Sequence, residues 1–180
     1  GLPGADAAGP RVGHVQWQCV YGGPAGTQPR AAGTGIARRP GPSEAADFWK
    51  DAPDIYGGRD LEKGGTWLGL TRAGRFAAVT NYRDGPARKP APLSRGDLAA
   101  GFLRGKDTPE DFLKSVAPEG ARYGGYSLLV GDLESLYYLS NRGAGIEKVT
   151  PGVHGLSNHL LDTPWPKIRL GKERLAALLG

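Results

Sequence analysis

The sequence predicts an α+β fold with antiparallel strands. Two strand pairs, each closed by a short turn, flank two helical segments that carry clear start signals. The order β-β-α-α-β-β-(β)-α lacks the regular alternation of a doubly wound parallel sheet. A chain of 180 residues suits one domain with a real core.

Residues 1–43 stand apart. Sixteen of them are Gly or Pro and Asp6 is the only acid, so the segment has little apolar surface to set against the entropy of ordering. Coil is expected there, with one short strand near Val15–Tyr21. From Ser43 the texture becomes globular. Ser43-Glu44-Ala45-Ala46-Asp47-Phe48-Trp49 reads as a short helical turn capped by Ser43. Thr66–Thr71 and Arg75–Tyr82 read as a hairpin joined through Ala73-Gly74. Pro86 to Pro92 is a loop. Ser94 is expected to cap a helix over RGDLAAGFLRG, with Leu98, Phe102 and Leu103 on its apolar face. Thr108-Pro109-Glu110-Asp111 opens a second helix with a cap, a first-turn proline and two acids, and Pro118-Glu119-Gly120 ends it. Tyr126–Gly131 and Glu134–Ser140 form a second hairpin around Gly131-Asp132. Ile146–Val149 reads as a short strand, and Pro164–Leu170 and Lys172–Leu179 as helical. The expected domains are therefore an atypical, disordered or mistranslated segment over residues 1–43 and a folded domain over 44–180.

Composition narrows the function classes. The net charge of +5 comes from scattered Arg and Lys, with no run of five basic residues, so a nucleic-acid partner is not expected. One cysteine, Cys19, excludes an internal disulfide framework and a Cys-rich metal site. No stretch reaches the ~18 apolar residues of a membrane span, and no signal peptide is visible. A cytoplasmic setting is the default. The chain contains no Met and closes on an uncapped amphipathic run, Lys172 to Gly180, so truncation at the C-terminus is expected.

Six features bear on chemistry. The block from Gly57 to Gly69, GGRDLEKGGTWLG, has two glycine pairs that either let backbone approach a site or shape the entry to a strand. Asn81, at the end of an apolar strand, either donates to an oxyanion or caps a turn. Asn158, in GLSNHLLDTPWPK, either points into a pocket or caps a helix with Ser157. His154 and His159, five apart with no third ligand in view, make a weak metal pair and read as surface or packing histidines. Ser140-Asn141-Arg142-Gly143 reads as a tight turn after a strand, with Arg142 as a candidate anion contact. Cys19 has only His14 nearby to lower its pKa and reads as an ordinary cysteine.

From Ala45 to the end, the chain resembles the NRDE family, also called the transport and Golgi organisation protein 2 family. The strings that carry the resemblance are ADFW, GGRDLEKGGTWLGLTRAGRFAAVTNYRD, SRGDL, YGGYSLLVGD, YYLSNRG and GLSNHLLDTPWPK. It implies an αββα sandwich like that of N-terminal-nucleophile (Ntn) hydrolases, here incomplete at both ends. It also implies a Met-Cys start whose Cys is the nucleophile, followed by an Asn-Arg-Asp-Glu tetrad. By string similarity, Asn81 and Asn158 stand at two oxyanion-site positions. Arg59 and Asp60 are not the tetrad, so the glycine block is a framework segment beside the site. This sequence has neither the Met-Cys start nor the tetrad. The tetrad's expected place is near Gly33-Thr34-Gly35-Ile36, where a shifted reading of suitable codons gives Asn-Arg-Asp. Residues up to about Gly41 are therefore read as out-of-frame translation, with a divergent N-terminus as the alternative.

Three functions follow from the resemblance. The first is a protein of unsettled biochemical role, with family links to haem mobilisation and secretory-pathway organisation and haem as a transported ligand. The second is a cysteine-type amide or thioester hydrolase in the intact parent. The third is an inactive fragment, since the chain as written lacks the nucleophile.

Overall fold

The computed structural model describes residues 15–17, 42–83, 85 and 91–179. The strands are β1 (Val15–Trp17), β2 (Ser43–Trp49), β3 (Ala52–Asp60), β4 (Leu68–Thr71), β5 (Phe76–Asn81), β6 (Tyr126–Gly131), β7 (Leu136–Ser140), β8 (Ile146–Lys148) and β9 (His154–Leu156). The helices are α1 (Gly96–Arg104), α2 (Pro109–Val116) and α3 (Pro166–Leu179), with a 3₁₀ turn over Ala117–Arg122. Strands β2 to β8 form one seven-stranded sheet in chain order, antiparallel throughout. β1 pairs with β9 in parallel as a separate two-stranded unit. The α+β class is thus observed. The expected loop at Pro86–Pro92 falls largely outside the described residues, as do Cys19 and Gly33–Ile36.

Two elements differ from the sequence expectation. Ser43–Trp49 is a strand, not a helical turn, and Ala52–Asp60, within which the first glycine pair falls, is a strand as well. Tertiary pairing overrides local preference here. Tyr56 pairs with Phe48 on one side and with Leu70 on the other. The two segments 164–170 and 172–179 are one helix, α3.

Helices α1 and α2 cover one face of the sheet. Leu98, Phe102 and Leu103 of α1 and Leu113 of α2 pack with Trp49, Ile55, Ala77, Val79, Leu128, Val130 and Leu139. The start of α2 is as expected: Pro109 fills the first turn and the Asp111 N–H donates to Thr108 Oγ1 at 3.2 Å. Ser94 provides no side-chain cap for α1; Arg95 holds the N-cap position and makes no capping bond either. The other end of α1 is held by Arg75, whose Nη2 donates to the Phe102 carbonyl at 2.9 Å while its guanidinium lies 3.9 Å over the Phe102 ring. On the opposite face, Leu156 of β9 packs against Leu129 and Tyr138, with Val149 and Leu161 beside them. That second layer lies over β6 and β7. On the same face of β2–β4, Phe48, Tyr56 and Leu70 are 41%, 42% and 49% exposed.

One buried polar atom lacks a partner among the described residues: the hydroxyl of Tyr126, on a side chain with no exposure. Burial pushes this phenol up to about 12. Removing an unsatisfied buried hydroxyl relieves a desolvation penalty. Tyr126→Phe is therefore expected to leave stability unchanged or raise it by up to about 1 kcal/mol. A loss beyond that, measured by urea unfolding, would show that the hydroxyl is satisfied after all.

Candidate functional site

The C-terminal end of β5 and the segment after β9 meet through a ladder of polar contacts. Thr80 Oγ1 donates to the Ser157 carbonyl at 2.9 Å. Asn158 Nδ2 donates to the Asn81 carbonyl at 3.0 Å, and the Arg83 N–H returns a bond to the Asn158 carbonyl at 3.0 Å. The start of β6 anchors this junction. The Tyr82 N–H donates to the Gly125 carbonyl at 2.9 Å, and Ser127 Oγ of β6 donates to the His159 carbonyl at 2.8 Å. The two asparagines, 77 positions apart, are thus brought together. Asn81 is exposed, while Asn158 is half-buried and uses one of its two amide hydrogens on the Asn81 carbonyl.

Beside them is a pair that sequence reasoning missed. Tyr82 Oη lies 2.8 Å from His159 Nε2, and the two rings stack with centroids 4.6 Å apart. His159 Nδ1 lies 2.9 Å from Thr163 Oγ1, which in turn donates to the Leu160 carbonyl at 2.8 Å. The Trp165 ring also lies near the imidazole, at 5.7 Å between centroids. The available signal was adjacency: Tyr82 follows Asn81 and His159 follows Asn158.

His154 does not join this group. Its Nδ1 lies 2.7 Å from Asp162 Oδ2 and its Nε2 lies 2.8 Å from the Thr150 carbonyl. Asp162 also accepts from Lys172 Nζ of α3 at 2.7 Å and from the Gly155 N–H at 2.9 Å. Burial pushes the Asp162 carboxyl up, but the bonds from Lys172, His154 and the Gly155 amide outweigh it and hold the group below the usual carboxylate range. The cluster fastens β9 to α3. With every ring nitrogen of His154 and His159 engaged, neither imidazole is set to ligate a metal. No grouping of three His, Cys, Asp or Glu able to hold a metal ion occurs among the described residues.

The glycine block serves the scaffold. A Cβ on Gly65 would sit 2.6 Å from the carbonyl carbon of Gly96 at the start of α1, and one on Gly58 would sit 2.9 Å from the Trp67 ring. Its Arg59 pairs with Asp51, which also takes Arg104 Nη2 at 2.6 Å. These two guanidiniums hold the exposed Asp51 carboxyl well below the usual range. Asp60 Oδ1 accepts the Glu62 and Lys63 N–H groups in the turn after β3. The Ser140–Gly143 turn is likewise structural. Asn141 Oδ1 accepts the Tyr126 N–H at 2.9 Å, and its Nδ2 donates to the Gly120 and Gly124 carbonyls at 2.9 and 3.2 Å. Arg142 is exposed.

Comparison with known proteins places the chain. The profile of the family described as Transport and Golgi organisation 2 matches residues 36–180. A Mus musculus protein named Transport and Golgi organization 2 homolog is 40% identical over 141 residues, covering 73% of this chain and 51% of its own length. The Homo sapiens homolog is 41% identical with the same coverage, and the Drosophila melanogaster protein named Transport and Golgi organization protein 2 is 26% identical over 151 residues. The chain spans about half the length of these curated relatives. With a profile matched over most of its length and vertebrate relatives at this identity, the chain belongs to the Transport and Golgi organisation 2 family.

Proposed function

We propose that this region holds the acyl oxygen of an amide or thioester in an Ntn-hydrolase-like αββα framework, with Asn81 and Asn158 as the donors. The observation that carries this reading is the bond from Asn158 Nδ2 to the Asn81 main-chain carbonyl, which fixes the Asn158 amide beside the exposed Asn81 at one corner of the sheet. An amide N–H held in place ahead of reaction, as that of Asn158 is, stabilises a developing oxyanion without reorganising, and a single donor is worth about 10²–10³ in rate. The exposed Asn81 amide and the second hydrogen of Asn158 are the groups available for this.

The relatives' printed name speaks of transport and Golgi organisation. Carried to this chain, it supports a role in moving a small molecule, with haem the ligand implied by the family resemblance and a cytoplasmic setting the default. No helix among the described residues is long and apolar enough to cross a membrane. Both histidines of the folded region have their ring nitrogens engaged, so the local geometry favours an acyl ligand over axially ligated haem.

The test is turnover of aryl thioesters and N-acyl amides by the intact gene product. Asn81→Ala is expected to lower kcat/KM by about a hundred- to a thousandfold, with an unchanged melting temperature because the side chain makes no bond to a described residue. Full activity in Asn81→Ala, or no turnover of any thioester or amide, would remove the reading.

A further inference from the structure

The contacts around His159 run in one direction only. The Leu160 carbonyl is an acceptor, so the Thr163 hydroxyl spends its hydrogen there. Thr163 Oγ1 must then accept from His159 Nδ1–H. In the neutral imidazole this leaves Nε2 as a lone pair, and the group facing that lone pair is the Tyr82 hydroxyl at 2.8 Å. The Ser127 bond to the His159 carbonyl fixes the backbone of that residue, and the Trp165 ring lies 5.7 Å from the imidazole between centroids. A hydroxyl on a base, with the base oriented by a third group, is the geometry that activates a nucleophile. Here it lies one residue from each of the two asparagines.

We propose that Tyr82, His159 and Thr163 form a proton relay that activates water against an acyl group held at Asn81 and Asn158. The proposal rests on the acyl-oxygen reading above. Water gives a proton to Tyr82 Oη as Tyr82 passes its own to His159 Nε2. The hydroxide forms a C–O bond to the carbonyl carbon, and the displaced electron pair moves to the carbonyl oxygen, where the Asn81 amide donates to it. When the tetrahedral species collapses, the C–S or C–N bond breaks. The proton on His159 then returns through Tyr82 to the departing thiolate or amine. No thiol takes part, so the relay gives this chain a route that does not need the N-terminal nucleophile implied by the resemblance. Tyr82 is the catalytic residue of the relay; His159 and Thr163 act through it.

The experiment uses the 180-residue chain itself, with S-phenyl thioacetate and p-nitrophenyl acetate as probes. Hydrolysis above the buffer rate is expected. Alkylation of Cys19, the only thiol in the sequence, is expected to leave it unchanged. Tyr82→Phe and His159→Gln are each expected to lower the rate by about a hundredfold or more. The double variant should fall no further, because residues acting as one unit are not additive. Thr163→Val, which keeps the side-chain volume, should lower the rate while shifting His159 from the Nδ1–H to the Nε2–H tautomer in nitrogen-15 spectra. Melting curves check that each variant folds, and if Tyr82→Phe does not, the His159 and Thr163 variants carry the test. No hydrolysis by the chain, loss of hydrolysis on alkylation, or full activity in folded Tyr82→Phe overturns the relay. A rate that falls in Asn81→Ala but not in Tyr82→Phe rejects the relay and keeps the acyl-oxygen site. The reverse pattern rejects the acyl-oxygen site and keeps the relay.

Discussion

Replacing Phe102 by alanine is expected to destabilise the protein by about 3–5 kcal/mol. The ring is fully buried in the core between α1 and the sheet and meets Phe112 edge-on at 5.2 Å between centroids. The ring also carries the Arg75 guanidinium, whose pKa burial lowers from its ordinary value while the group stays charged. Truncation therefore removes transfer energy and opens a cavity. It also strips the ring from a half-buried cation that must still reach the Phe102 carbonyl. The measurement is the urea midpoint at constant slope, which separates a stability change from a change in the unfolded state. Leu70→Ala, at a position 49% exposed, serves as the comparison and is expected to stay within about 0.5 kcal/mol of the parent. A Phe102→Ala loss no larger than that of Leu70→Ala would mean that α1 does not close the core.

The second large effect is expected at Asp162. Three charge-assisted or backbone bonds converge on this carboxylate, from Lys172, His154 and the Gly155 amide, and its backbone φ is +56°. Aspartate and asparagine tolerate that left-handed region better than most residues. Asp162→Ala loses both the bonds and the backbone tolerance, and about 2–3 kcal/mol is expected from the charged bonds alone. Asp162→Asn keeps the backbone preference and loses only the charge, so a smaller drop is expected. The pH dependence separates charge from shape. Because the folded carboxyl sits below its ordinary value of about 3.9, its contribution is complete above that value and is lost as pH falls through the folded value. The gap between parent and Asp162→Asn should therefore close on acidification below about pH 4. A gap that stays constant to pH 2 would show that charge plays no part.

Much of the fold is legible where local chemistry and tertiary structure agree. Thr108-Pro109 starts α2, Gly74 takes φ +81° in the β4–β5 turn, and Asp132 Oδ1 organises the β6–β7 turn by accepting from Glu134 and Ser135. The β2–β3 hairpin was not legible because its two-residue connection, Lys50-Asp51, carries no Gly, Pro or Asn turn signal. SEAADFW has the composition of a helix, and the glycines of β3 are there for close approach: a Cβ on Gly57 would lie 2.6 Å from the Leu68 carbonyl oxygen. The β1–β9 pairing was hidden because it is long-range, and a three-residue parallel pair has no turn to announce it. For the site, the family resemblance pointed to Asn81 and Asn158. Tyr82 was not singled out and His159 was read as a surface or packing histidine, because a histidine's role depends on what its ring nitrogens face, and only the folded chain supplies that.

The ladder between β5 and the segment after β9 also has a consequence in time. Its halves are 77 residues apart, so neither asparagine has its partner until the later segment is made and docked. At about 5–20 residues per second of synthesis, the first half leaves the ribosome several seconds before the second. Long-range closure of this kind is slow relative to local hairpins and helices. The corner is therefore assembled late, after α1, α2 and the β4–β5 hairpin can already be in place. Any chemistry it performs stays silent in nascent and partly folded chains, and recovery of function becomes a more exacting measure of complete folding than recovery of secondary structure.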